Sequence, residues 1–75
     1  MPSPANDADR VGDLAVVQRA IDALPETLRV VFVLREVEDY SHAEIAELLN
    51  ITANASEVRL HRALRSLRRT LGADK

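Results

Sequence analysis

The 75-residue chain has no cysteine and only two glycines. Without cysteine there is neither a disulfide framework nor a thiolate metal cluster, so a fold this small must rest on efficient helix packing. A reducing, intracellular setting fits that composition. Without a glycine-rich turn there is no nucleophile elbow around which His42, His61, Ser56 and the acids could form a hydrolytic site. The two histidines also lack paired ligand spacing. Neither an enzyme nor a metal or cofactor site is expected. No apolar run approaches the roughly 20 residues of a membrane span, and "MPSPANDADR" has neither the basic region nor the apolar region of a signal peptide. The expectation is a soluble, cytoplasmic protein with no membrane partner.

The net charge of −2 hides an uneven distribution. Residues 1–58 hold four arginines against eleven carboxylates, a net of −7, whereas residues 59–75 hold five arginines and a lysine against one aspartate, a net of +5. An acidic body with one basic face can bind phosphate on that face while its other side disfavours wrong approaches. The plainer alternative is a solvated helix face.

Residues 1–10, with two prolines and small polar residues, suggest a disordered N-terminal tail, and residues 73–75 a C-terminal one. The folded unit is expected over residues 11–72. Val11, Leu14, Val17, Ile21 and Leu24 recur at the spacing of one helical face. Pro25 ends that helix and opens a second, "PETLRVVFVLREVE", with Glu26 near the positive end of its dipole. The run Val30–Leu34 is apolar on every side. It reads as buried helix, since Arg and Glu flank it at helical spacing and nothing else in the chain could pair with it as a strand. "EDYS" breaks the helix, Asp39 being able to accept a left-handed conformation. "SHAE" is then a capping box in which Ser41 and Glu44 satisfy each other's amides. Ile45, Ala46 and Leu49 give the third helix its buried face. A fourth helix runs to Leu71 with Gly72 as its stop, capped by either Thr52 or Asn54. With no β pattern to supply a wing, the sequence predicts an all-α, four-helix domain. Its last two helices are joined by the short turn of a helix-turn-helix unit.

Winding the fourth helix at about 100° per residue puts Ser56, Leu60, Ala63, Leu64, Leu67 and Leu71 on one side. Val58, Arg62, Arg65 and Arg69 fall together on the opposite side, with Asn54 and His61 at its edge. In a helix-turn-helix the second helix enters the major groove of DNA, first turns at base edges and the rest along phosphates. Arginine can read guanine bidentately or neutralise phosphate, and the Val58 methyls can meet a thymine methyl.

These residues carry a family resemblance. The run "LPETLRVVFVLREVEDYSHAEIAELLNITANASEVRLHRALRSLRR", Leu24 to Arg69, resembles region 4 of bacterial sigma factors of the extracytoplasmic function group. Its marks are "LPxxxRxVFxLR" from Leu24, "SxxEIAExL" from Ser41 and "VRLHRA" from Val58, in order and at the family's spacing. The resemblance implies a domain that reads the −35 element of double-stranded promoter DNA and docks on the flap of the RNA polymerase β subunit. In many members an anti-sigma factor also holds it. Carried onto this chain, the DNA-facing positions are Glu57, Val58, His61 and Arg62 with Arg59 beside them. Phosphate contacts are implied for Thr52, Asn54 and the Ser41–His42 helix start.

The chain departs from the family pattern at several places. Glu57 stands where a basic residue is usual, and Leu64 where another arginine is common. Ser56 replaces a buried valine, while Asp39 and Asn54 stand where the two turns usually carry glycine. Glu57 either shifts base preference, by accepting from a cytosine amino group, or weakens all binding by repelling phosphate. Ser56 removes two buried methyl groups, a cost on the order of 1–2 kcal/mol if its hydroxyl finds a partner. Nothing in residues 1–23 matches the family's upstream region 2, so the expectation is an excised region 4 or a free-standing relative that works by binding. Two other readings compete. One is a protein-interaction module that keeps the helix-turn-helix as a scaffold. The other is a response-regulator type DNA-binding domain, which shares "EIA" and the following "IT" but not "VRLHRA" with clustered arginines.

Overall fold

The computed structural model describes the backbone of residues 4–72 and the side chains of residues 13–72. Its secondary-structure elements are all helical, with no strand among the described residues. Helix α1 spans Pro4–Asp22, α2 Glu26–Phe32, α3 His42–Leu49 and α4 Ala53–Gly72, and a π-helical turn, Val33–Val37, extends α2. The all-α, four-helix reading of the sequence therefore holds. The outermost residues, 1–3 and 73–75, of the expected tails lie outside the described ones.

Helix α1 starts well before its apolar periodicity does, at Pro4, the kind of residue whose fixed φ suits a first helical turn. Its expected apolar face is only partly used. Leu14 is 61% exposed and Val17 38%, whereas Ala20 and Leu24 are buried and Ile21 half-buried. The reason is topological. The last turns of α1 meet α4 in a cluster of Ala20, Leu24, Ala63 and Leu67, with Ile21, Leu28 and Phe32 packed against it. Among the described residues no other element buries Leu14 or Val17. The spacing of Leu14 and Val17 gave their direction without giving them a neighbour.

Pro25 caps α2, and its carbonyl accepts from the amides of Leu28 and Arg29 at 2.9 Å. Arg29, the arginine of "LPxxxR", donates through Nη1 to the carbonyls of Leu24 (2.9 Å) and Asp22 (3.1 Å). Those carbonyls lie at or just past the end of α1, where no helical amide remains to meet them. A charge-assisted bond to a backbone carbonyl contributes about 1.5–3 kcal/mol when well formed. Arg29 thus ties α2 to the end of α1, which explains the place of an arginine in an otherwise apolar stretch.

Within Val30–Leu34 burial concentrates on Val31, at 0% exposure, while its neighbours are half-buried. From Val33 the helix widens, Glu38 N–H bonding the Val33 carbonyl five residues back and Tyr40 N–H reaching Leu34 O at 2.8 Å. A regular α-helix was expected here, and apolar periodicity is too coarse to distinguish the two. The wider turn delivers the chain to Asp39 at φ 65°, the left-handed conformation anticipated for it. Arg35 bridges the corner, donating to Tyr40 O at 3.4 Å and standing 3.9 Å from the Asp39 carboxylate.

The Ser41 capping box is formed: Glu44 N–H donates to Ser41 Oγ at 3.0 Å and Ser41 N–H donates to Glu44 Oε1 at 2.8 Å. Ile45 in α3 is fully buried, an arrangement that stabilises the fold by about 1.5–3 kcal/mol over exposing it. Asn50 ends α3 at φ 58°. It is this residue, not Asn54, that takes the glycine-like conformation of the second turn. Asn54 lies inside α4, and Thr52 is the cap, its hydroxyl accepting from Ala55 N–H at 2.9 Å. Gly72 closes α4 without a positive φ, so it is the last helical residue rather than a left-handed stop.

Candidate nucleic-acid interface

Helix α4 divides along its length as the winding predicts. Ser56 and Ala63 are completely buried and Leu67 nearly so, with Leu60 and Leu64 half-buried, while Leu71 at the far end reaches 37% exposure. On the other side Asn54, Glu57, Val58, His61, Arg62, Arg65 and Arg69 are exposed. At 1.5 Å rise per residue, Asn54 to Arg69 is a strip of roughly 22 Å, and an α-helix of this kind fits a major groove about 12 Å wide.

Among the described residues the cations of that strip have no ion-pair partner. The ion pair found among the described residues is Arg35–Asp39, and none involves α4. Five arginines against Glu57 leave α4 with a net +4, while α1 carries −2 and α3 −2. An unpaired guanidinium in water gains more from a phosphate than one already holding a carboxylate, because nothing has to be given up. Arg68 is also exposed, on the same solvent-facing half and between the lines of Glu57 and His61. The sequence reading passed over it by concentrating on the tightest stripe, although the same winding places it outward.

Not all the expected residues stand on this strip. Arg59 is half-buried and turns to the flank, lining a shallow groove of about 260 Å³ with Glu26, Thr27, Val30 and Leu49. At the start of α3, the Glu44 carboxylate already holds the Ser41 amide, so a negative group sits where a phosphate would approach. His42, implied as a phosphate contact at that helix start, is half-buried, and its Nδ1 shares a 2.8 Å hydrogen bond with the Oγ of buried Ser56. Ser56 has therefore found the partner its burial required. Thr52 is exposed, and its hydroxyl oxygen accepts from Ala55 N–H in capping α4, which leaves its O–H proton outward. Of the eleven candidate positions, the structure brings Asn54, Glu57, Val58, His61, Arg62, Arg65 and Arg69 onto one surface, while Ser41 and Thr52 stand at the helix caps, His42 bonds Ser56 and Arg59 lines the flank.

Among the described residues no three His, Cys, Asp or Glu side chains converge as a metal site. No described helix is long and apolar enough to cross a membrane.

A family model for sigma-70, region 4, matches residues 14–67. The chain is similar to the ECF RNA polymerase sigma factor SigW of Bacillus subtilis, with 38% identity over 55 residues. That stretch is 73% of this chain but 29% of the relative, so the chain spans less than a third of that protein's length. No solved structure matches the chain significantly. The family match runs from α1 through most of α4 and takes in every residue that builds the exposed strip except Arg68 and Arg69. The chain belongs to the sigma-70 region 4 family, and its α3–α4 helix-turn-helix is a sigma-factor DNA-binding module.

Proposed function

We propose that this domain reads the −35 element of a bacterial promoter through the exposed edge of α4 and docks on the RNA polymerase β flap, directing transcription initiation from the cytoplasm. The observation that carries this reading is the exposed cationic edge of Arg62, Arg65 and Arg69, which has no ion pair among the described residues, opposite a buried face and in the second helix of a helix-turn-helix. In that placement the first turns of α4, with Glu57, Val58 and His61, meet base edges, and the later arginines follow a phosphate backbone. A polymerase partner is supported by the name of the relative, an RNA polymerase sigma factor. The family is not one of enzymes, and no step of chemistry is assigned to the domain.

A titration of a labelled −35-type duplex at low and moderate salt tests the reading. The natural chain is expected to bind with a log-log salt slope of roughly one per phosphate contact. Arg62→Ala should lose about 1–3 kcal/mol of binding if it reads a base, and should relax the preference at one position. Glu57→Lys should strengthen low-salt binding.

A second reading is favoured by Glu57, an exposed carboxylate at the head of α4, and by Arg59, which points away from the strip. There the helix-turn-helix serves as a scaffold for polymerase or an anti-sigma factor, with DNA readout weakened. Equal inertness of the natural chain, Glu57→Lys and Arg62→Ala toward duplex at low salt would favour it over the first.

A further inference from the structure

We propose that the His42–Ser56 hydrogen bond is the tie that fixes the rotational setting of α4 against α3, and so aims Glu57 and Val58. The inference deepens the DNA-reading proposal and rests on it for its functional half.

The tie occupies a telling place. His42 is the first residue of α3, and Ser56 lies in the first turn of α4, so a 2.8 Å contact fourteen residues apart in sequence closes the helix-turn-helix across its turn. Ser56 is 0% exposed, so water does not compete for its hydroxyl. Depending on the imidazole tautomer, that hydroxyl either donates to Nδ1 or accepts from it, and either arrangement gives both atoms a hydrogen-bond partner. The flanking hydrogen bonds are local to each helix: the capping box belongs to α3 and the Thr52 cap to α4. Between the two helices, His42–Ser56 is the side-chain hydrogen bond among the described residues.

An apolar contact tolerates sliding and small rotations because dispersion attraction has little directionality, whereas a hydrogen bond weakens steeply as its angle departs from linear. Tying α4 at Ser56 therefore constrains its rotation about its own axis, at the turn where aim matters most. The next two side chains, Glu57 and Val58, are exposed, and a reading group must be held within roughly 10–20° of its productive direction. His42 acts here as a positioning residue: it touches Ser56 and has no part in the exposed strip.

The test combines two readouts on the full chain and on four variants: His42→Ala, Ser56→Ala, the double variant and His42→Asn. Asparagine can present a hydrogen-bonding atom close to the position of Nδ1. The first readout is the α3–α4 orientation in the free protein, from residual dipolar couplings, with backbone order parameters at Glu57 and Val58. Both alanine variants are expected to change the setting or lower the order at those two residues, the double variant to match either single, and His42→Asn to restore part of it. An unchanged setting overturns the tie, whatever DNA does.

The second readout is the ratio of affinities for a preferred duplex and one altered at a single −35 position. A loss of folded molecules scales both affinities equally and cancels in the ratio, so a merely structural role leaves it unmoved. A positioning role lowers it, by about tenfold for a lost base contact. A changed setting with an unchanged ratio overturns the aiming role. If the natural chain itself does not discriminate while the variants change the setting, the tie stands as an interhelical constraint, and both the DNA-reading proposal and the aiming built on it fall.

Discussion

Helices α1 and α4 have nearly the same length, 19 and 20 residues, and both carry leucines and valines at helical spacing. They are used in different ways. α4 packs against α1, α2 and α3, burying Ser56, Ala63 and Leu67, and turns a net +4 toward solvent. α1 buries Ala20 at its end and leaves Leu14, Val16 and Val17 substantially exposed. In α4 the polar face is made of long charged side chains, so one side alone can face inward. In α1, Val16 sits off the stripe of Leu14 and Val17, and neither side is clearly the inner one. The difference teaches that periodicity is an instruction to bury a face only where the opposite face forbids it and a neighbour is within reach.

The sharpest way to test that difference is to replace a leucine in each helix, beginning with the buried one. Leu67→Ala removes a nearly buried side chain from the α1–α4 cluster and is expected to cost about 2–5 kcal/mol. For a domain of this size the total stability is of the order of 5–10 kcal/mol, so the variant should approach the edge of folding at 37 °C. Urea denaturation with a fixed m-value gives the number. A cost under about 1 kcal/mol would mean that the cluster is not a cohesive core.

The charges of the two helices can be compared in the same way. Arg69→Ala in α4 should flatten the salt dependence of duplex binding by about one unit of log-log slope, as expected for one phosphate contact. Arg19→Ala, near the C-terminal end of α1, should leave the slope as it is. Equal effects from the two would point to binding by diffuse charge rather than by the α4 edge.

Much of this was legible before any coordinates. The four helices, the Ser41–Glu44 box, the left-handed Asp39 and the inward–outward division of α4 all follow from spacing and local hydrogen-bond chemistry, which are properties of a few adjacent residues. The parts that were not legible depend on contacts between distant segments. The exposure of Leu14, the groove around Arg59 and the turning of His42 onto Ser56 each depend on where another helix passes. The π-helical turn at Val33–Val37 belongs to this group too, because it reconciles the end of α2 with the corner at Asp39. Asn50 was missed for a different reason. The resemblance put the family's turn glycine at Asn54, whereas the left-handed residue is Asn50 and the cap that fixes the register is Thr52.

That cap supplies a smaller test. Thr52→Ala leaves the Ala55 amide without its side-chain acceptor and should cost about 1 kcal/mol, read from the urea midpoint. Most of the loss should appear as faster amide exchange in the first turn of α4, beside the reading residues. Ser41→Ala should match it in size but act on α3. If Thr52→Ala were silent while Asn54→Ala destabilised the domain, the start of α4 would have to be moved.

The smallest expected effect lies in α1 and puts the contrast at most risk. Leu14→Gln replaces a 61%-exposed side chain with a polar one of similar helix propensity, so neither burial nor backbone preference changes much. The domain should shift by no more than about 0.5 kcal/mol, the usual range for an exposed site. The measurement should be repeated across a hundredfold range of protein concentration. A loss above about 1 kcal/mol that grows with concentration would mean that the apolar turns of α1 are covered in solution by another molecule of the chain. The two helices would then differ in the partner they use and not in whether they have one.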